Sequence, residues 1–363
     1  FAPVPKSEFE GIDPLQVQQA PFFQHPIGCG PFMVEEVNMK NYTILAPFDR
    51  YYNGVADFKI QLLPSAGDSD PNVVTRAKSG NLDYGYTKMV ADVQALEGTP
   101  GITVTPIDVR YTRLFYLNKF DKKDGSPAPL ADVRVRQALR YAIDMETICE
   151  TLFQGSAVPA NALAPDANLK GGDLNDYNYN PEKAKELLAE ANWDPNTVIK
   201  AVYYYTDQAT VDLMTAVQAY LADVGIKMEF ELVEGDLATI LWTAPADQTN
   251  GPRAVDWDIC YAANAALSLH EYYDRYRTGS PTNSHTPEDA ELNRLIDATN
   301  ASADVNAQNE AFKELIKYEN ENLFTMALYY QPIFLITSDK IGDIQKGTPQ
   351  FCINWGIQNW NVQ

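Results

Sequence analysis

The residue pattern of this chain predicts an α/β fold, and three stretches in its middle third carry that reading. In "NPEKAKELLAEAN", Asn180 takes a cap position, Pro181 the first helical position, and Ala184, Leu187, Leu188 and Ala191 form one apolar stripe. "TVIKAVYYYT" is β-branched and aromatic, as a strand requires. The helix "ATVDLMTAVQAYLADVG" then buries Leu213, Val217, Tyr220, Leu221 and Val224 and stops at Gly225, and "IKMEFELVE" alternates apolar and charged residues. Strand, helix and strand in this order form a βαβ crossover, so 198–205 and 226–233 are expected to pair in parallel, in a sheet that also holds "DWDICYAA". The alternation leaves the second strand one polar face, which suits a sheet edge.

The flanking elements follow the same rules. "PFMVEEVNMKNYTILAPF" reads as two strands around a turn at Asn38–Asn41, and "FKIQLLP" as a third. The helix "PNVVTRAKSGN" stops at Gly80, and the strands "LDYGY", "ITVTPI" and "RLFYLNKF" come next. The loop "DKKDGSPAP", with a glycine and two prolines, is a candidate domain crossing. Two helices, "TPEDAELNRLIDATN" and "VNAQNEAFKELIKYENE", precede a strand read as "FTMALYYQPIFLIT", and the aromatic tail "NWGIQNWNV" is expected to dock.

At 363 residues the chain has room for two domains. Its 28 Lys and Arg against 49 Asp and Glu leave a net charge of −21, a surface that repels phosphate backbones, so no nucleic-acid partner is expected. No apolar run approaches the ~18 residues of a membrane span. The opening "FAPVPKSEFEG" has neither an initiator Met nor a signal peptide, and a trimmed product is expected. Cys29, Cys149, Cys260 and Cys352 are far apart with no CxxC pair; buried free thiols are the expectation, although four cysteines leave up to two disulfides open.

The stretch "PLADVRVRQALRYAID", residues 129–144, contains Arg134, Arg136 and Arg140. Val135, Ala138, Leu139, Ala142 and Ile143 fall on one helix face, with the arginines off it. The expectation is a two-helix unit capped at Asp132 and Asp144, its arginines solvated or paired with carboxylates.

Catalytic and cofactor signatures are absent. There is no GxxxxGK[ST] loop and no GxSxG elbow, and "GCG" at Gly28 lacks the third glycine and the helix of a dinucleotide site. His25, His270 and His285 never stand at i, i+4, which leaves a metal cluster with little support beyond His270 beside Glu271. "DANLKGGDLNDY" fails as a calcium loop because Lys170 and Tyr177 stand where ligand oxygens belong. Cys149 sits among apolar helix neighbours and reads as packed rather than nucleophilic. The expectation is a protein that is not an enzyme, with no cofactor and no metal.

The order of the motifs carries a resemblance. "HPIGCGPFMVEEV", "AKSGNLDYGY", "FYLNKFDKKDGSPAPLADVRVRQALRYAIDMETI", "YNPEKAKELLAEANW", "LADVGIKMEFELVE", "DWDICYAAN", "PEDAELNRLIDA" and "LYYQPIFLITS" run along nearly the whole chain. In that order they resemble the extracellular solute-binding proteins of peptide-type ABC transporters, often called family 5. The resemblance begins well inside the family's usual pattern. It implies a two-lobe periplasmic-binding-protein-like fold of type II, peptide-binding class, with lobe I incomplete: 1–112 and 338–363 in lobe I, 113–337 in lobe II. It also implies a monomeric substrate-binding subunit that captures a peptide or other small oligomeric solute by closing its lobes and delivers it to a membrane ABC permease. The location implied is extracytoplasmic, in the periplasm or at the cell surface on a lipid anchor outside this chain. A non-peptide solute (a nickel chelate, an oligosaccharide or an opine) and a ligand-sensing surface protein remain as alternatives.

Site residues follow from the same resemblance. The segment after the family's "GEID" contacts ligand backbone, which here is Tyr86, Thr87 and Lys88. The family's "WCAD" strand end, whose Asp receives a peptide's α-amino group, corresponds to Tyr261, Ala262, Ala263 and Asn264. Asn264 departs from that pattern, since a neutral amide offers no opposing charge. Lys88 adds a cation suited to an anionic ligand group. Arg113 either joins it or serves as an ordinary ion-pair partner.

Overall fold

The computed structural model describes residues 4–38, 40–64, 70, 72–107, 111–164, 169–265, 269–342, 344 and 356–363, with side chains at all of these but 14, 15, 18, 111, 265 and 269. The chain divides into two units, Phe1–Asp108 with Ile333–Gln363, and Val109–Pro332. The loop at 121–129 therefore lies inside the second unit and is not the crossing. The chain crosses at 108/109 and again at 332/333, a few residues before the positions expected near 112 and 337.

In the first unit, β1 (Phe32–Asn38), β2 (Tyr42–Pro47) and β3 (Ile60–Leu62) form an antiparallel sheet in that order, its first turn closed by Asn41 N–H to Asn38 O at 2.9 Å. Helix α1 (Val73–Lys78) ends before Gly80, whose φ of +72° is the left-handed conformation that terminates a helix. Strand β4 (Tyr84–Thr87), helix α2 (Val90–Leu96) and strand β5 (Ile102–Ile107) follow.

In the second unit come β6 (Tyr111–Leu117), α3 (Val133–Ala142), α4 (Met145–Thr151), β7 (Val158–Pro159), α5 (Pro181–Glu190), β8 (Val198–Tyr203), α6 (Gln208–Asp223), β9 (Lys227–Leu232), α7 (Leu237–Trp242), β10 (Ile259–Ala265), α8 (Ala290–Ala298), α9 (Val305–Asn322) and β11 (Thr325–Tyr330). The βαβ unit is as the periodicity requires: β8 and β9 pair in parallel from Val198↔Lys227 to Tyr203↔Leu232, and β10 lies in the same sheet. Strand order is β7-β11-β6-β10-β8-β9, which puts the half-polar β9 at an edge. One face of the sheet is covered by α3, α4, α5 and α6 over Phe115, Leu117, Ile259 and Tyr261. The other carries Leu114, Tyr116, Cys260 and Ala262 against α7, α8, α9 and Tyr272–Tyr276.

The segment read as one strand, 324–337, is two. Pro332 has no N–H to give a ladder and fixes its own φ, so β11 ends at Tyr330 and β12 (Ile333–Ser338) begins in another sheet, central between β4 and β5. The described part of the tail docks as expected: β13 (Ile341–Gly342) pairs with β14 (Asn361–Val362), and Trp360 packs on Tyr84 at 5.1 Å. Cys149 and Cys260 are buried free thiols, the former pushed up to about 12 by burial, whereas Cys29 is free and exposed; Cys352 lies outside the described residues.

The arginines of α3 correct the sequence reading. The caps hold, with Asp132 accepting from Arg134 N–H and Asp144 from Thr147 N–H, and the apolar stripe is buried. Arg134 pairs with Asp132 as expected. Arg136 and Arg140, however, are each only 4% exposed. Arg136 donates to the carbonyls of Leu130 (2.8 Å), Ala131 (2.7 Å) and Asn322 (2.7 and 3.0 Å), and Arg140 to those of Tyr177 (3.3 Å) and Ala160 (3.2 Å). Burial pushes both guanidinium groups down to about 10, so they remain charged at neutral pH. Arg136 thus sits at the carbonyl end of the 18-residue helix α9, where orphan carbonyls and the helix dipole favour a cation. Arg136→Ala, which orphans those carbonyls, is expected to lower the unfolding free energy by ~3 kcal/mol or more. Arg134→Ala should cost far less, since solvent screens its pair with Asp132; urea denaturation of the two variants checks the contrast.

Glu319, also on α9, is 2% exposed. Burial raises its pKa from 4.5 to about 8, opposed by a backbone bond to Leu163 and by the charge of Lys119. A raised carboxyl pKa favours the folded state while the group is protonated, so this contribution is complete below pH 4.5 and is lost as pH rises through about 8. Glu319→Gln keeps the protonated shape without the titration. Its stability relative to the natural protein should therefore grow steadily between pH 5 and pH 8, as denaturation midpoints across that range would register.

Candidate ligand-binding site

In the second unit, the carboxyl ends of β8, β9, β10 and β11 and the start of β6 lie along one edge of the sheet, because β10 is parallel to β8, β8 to β9, and β6 antiparallel to both β10 and β11. The carboxyl ends of strands in open α/β sheets are where ligands are usually bound. Arg113 and Ala263 are direct cross-strand partners there, and Tyr329 flanks Arg113 on the other side.

Arg113 is 6% exposed. Its Nε donates to Gln331 Oε1 at 3.0 Å, and its guanidinium lies 4.4 Å from the ring centre of Tyr205 and 6.0 Å from that of Tyr261. The hydroxyls of Tyr261 and Tyr329 share a 2.7 Å hydrogen bond. Burial raises the Tyr261 hydroxyl to about 12, with Arg113 opposing, so both tyrosines are neutral hydrogen-bonding groups at physiological pH. Ala263 N–H donates to the Tyr205 hydroxyl at 3.1 Å and so is already occupied.

Asn264 follows the strand alternation onto the opposite face. Its Nδ2 donates to Tyr272 O at 3.3 Å, which aims Oδ1 away from that carbonyl. The sheet therefore gathers Arg113, Tyr261 and Ala263 on one face and sets Asn264 on the other.

Tyr86, Thr87 and Lys88 belong to the first unit. Tyr86, opposite Leu335 in the β4–β12 ladder, is 44% exposed. Thr87 is 1% exposed and its hydroxyl is engaged locally, donating to Asp92 Oδ2 at 2.6 Å and accepting from Met89 N–H at 3.0 Å. These two bonds tie the end of β4 to the start of α2, whose N-cap residue, Met89, makes no side-chain cap bond of its own. Lys88, in the turn that follows, is 6% exposed. The residues that sequence reasoning passed over are Tyr205, Tyr329 and Gln331; the tyrosine run "YYY" at a predicted strand end and the "QP" break were their only traces.

A sheet buried on both faces, with polar groups concentrated at its carboxyl edge, is the arrangement in which α/β folds usually present a ligand site. The profile of the bacterial extracellular solute-binding proteins, family 5 (middle region), matches residues 2–286, and the chain belongs to that family. It is 28% identical over 231 residues to a putative ABC transporter peptide-binding protein of Brucella ovis, a match covering 62% of this chain and 42% of that protein. The oligopeptide-binding protein AppA of Bacillus subtilis, solved with a nonapeptide, superposes with a TM-score of 0.75 at 19% identity, over 99% of this chain and 72% of that one. NikZ of Campylobacter jejuni, solved with Ni(L-His), gives 0.78 at 17% identity, again over 99% and 72%. The fold is thus that of the periplasmic binding proteins.

Thr87→Val removes the bonds to Asp92 and Met89 N–H and should lower stability by ~1 kcal/mol. Asp92→Ala should do the same in thermal melts. A drop in either variant of less than a third of that size would show that these bonds contribute little and would return the Thr87 hydroxyl to the candidate ligand contacts.

Proposed function

We propose that this chain is the ligand-binding part of a substrate-binding subunit that serves an ABC importer for peptides or related oligomeric solutes. The match to the family over residues 2–286 carries this reading. The protein acts by binding alone and passes its cargo to a membrane permease from an extracytoplasmic position. Among the described residues no helix is long and apolar enough to cross a membrane.

Ligand contacts are assigned to Tyr86, Lys88 and the Thr87 backbone on the first unit, and to Arg113, Tyr261, Ala263 and Asn264 on the second. Arg113 and Lys88 each suit a carboxylate, and the Oδ1 of Asn264 suits an ammonium or amide N–H. Because relatives of this fold carry different cargo, the test must not presume peptides.

Native mass spectrometry of the purified protein, first as isolated and then with a randomised pentapeptide library or with Ni²⁺ and L-histidine, separates the readings. Retention of pentapeptides supports the proposal, and retention of the nickel chelate alone overturns it. For peptides, Arg113→Ala should weaken binding about tenfold or more, the value of one charge-assisted hydrogen bond. Lys88→Ala should weaken acidic peptides more than neutral ones. Asn264→Asp should raise the preference for free over N-acetylated termini by about 1 kcal/mol, a gain held down because the new carboxylate faces Tyr272 O. Calorimetry on the three variants reads all of these.

A further inference from the structure

Strand β8 leaves the sheet after Tyr203, and its parallel pairing with β10 reaches no further than Cys260↔Val202. Beyond that point a backbone N–H of β10 that points away from β6 has no strand to receive it, and an orphaned donor at a half-buried position is costly. The side chain of Tyr205 takes the place of the missing strand: its hydroxyl accepts from Ala263 N–H at 3.1 Å. The same hydroxyl shares a 3.0 Å hydrogen bond with Tyr204, whose ring lies 4.4 Å away. The Tyr205 ring meets Tyr261 edge-on at 5.8 Å and lies 4.4 Å from the Arg113 guanidinium carbon. One side chain therefore touches three of the groups at the carboxyl edge, through three different kinds of contact.

These contacts constrain different things. The cation–π contact and the Gln331 bond to Nε together hold the guanidinium by a face and an edge, which fixes its plane. The hydroxyl bond fixes the last turn-free residues of β10, from which Asn264 projects. A binding group held in this way meets a ligand without first losing rotamer freedom, and the residue that holds it is part of the site even though it touches no ligand.

We propose that Tyr205 is a positioning residue of the ligand site, acting through Arg113 by its ring and through the end of β10 by its hydroxyl; this rests on the assignment of Arg113 and Asn264 as ligand contacts. The two actions separate by substitution. Tyr205→Phe keeps the ring under Arg113 and removes the bonds to Ala263 and Tyr204, whereas Tyr205→Leu removes both.

The experiment uses the whole chain and two readouts. The first needs no ligand: ¹⁵N relaxation of the Arg113 Nε–H resonance, assigned by its loss in Arg113→Lys. It should report an ordered side chain in the natural protein and in Tyr205→Phe, and a mobile one in Tyr205→Leu. The second is calorimetry with a pentapeptide retained by the natural protein, for which Tyr205→Phe should bind about five- to tenfold more weakly and Tyr205→Leu more weakly still. Unchanged affinity in both variants, or an Arg113 that stays ordered in Tyr205→Leu, overturns the proposal. A natural protein that retains no pentapeptide overturns the peptide reading instead, and the relaxation measurement then decides Tyr205 by itself.

Discussion

Four consecutive residues of β6, Leu114 to Leu117, are withdrawn from water almost completely. A strand with no solvent face needs a hydrogen-bonding neighbour on each side and an apolar layer on each face. Strands β10 and β11 supply the first requirement. Because successive side chains point to opposite faces, Phe115 and Leu117 demand the layer built by α3 to α6, and Leu114 and Tyr116 the layer built by α7 to α9. Toward the start of β6, Thr112 and Arg113 are buried as well, and there polar contacts join the apolar ones: Thr112 donates to Leu163 O and Arg113 to Gln331. The chemistry of the sheet edge follows from polar side chains placed where water is excluded, so that each must find a partner within the protein.

What could be read from the sequence was whatever depends on near neighbours in the chain. The period of α5 and α6, the alternation in β9 and the caps at Asp132, Asp144 and Asn180 are local, and each corresponds to an element of the fold. Arg136 and Arg140 were misread because a helical wheel treats an off-stripe position as solvated, which is true only of a helix covered on one side. Helix α3 is covered twice, and the carbonyl of Asn322 that receives Arg136 is 186 positions away. Pro332 breaks the segment read as one strand, and β12 then goes to the centre of the other unit's sheet, a destination that no local pattern carries.

The candidate site was less legible than the fold for the same reason. Arg113 and Asn264 were picked out by resemblance to a family pattern, which selects positions without saying which face of a strand they occupy. Tyr205 belongs to no such pattern. Its role comes from β8 ending two residues before its neighbour's polar groups do, a mismatch in strand length that no single segment reveals.

The second unit is an uninterrupted insertion within the first, and this sets an order on the synthesis of the chain. Strands β4 and β5 leave the ribosome early but have no contact with each other in the sheet, since β12 lies between them. Their partner is translated only after the whole of 109–332. Until then two strand edges of the first unit stay unpaired and open to wrong partners, while the second unit already has every strand of its own sheet. A stall or truncation shortly before Ile333 would thus release a polypeptide with one finished unit and one that cannot close, and a peptide spanning 333–338 supplied in trans would be the complement it lacks.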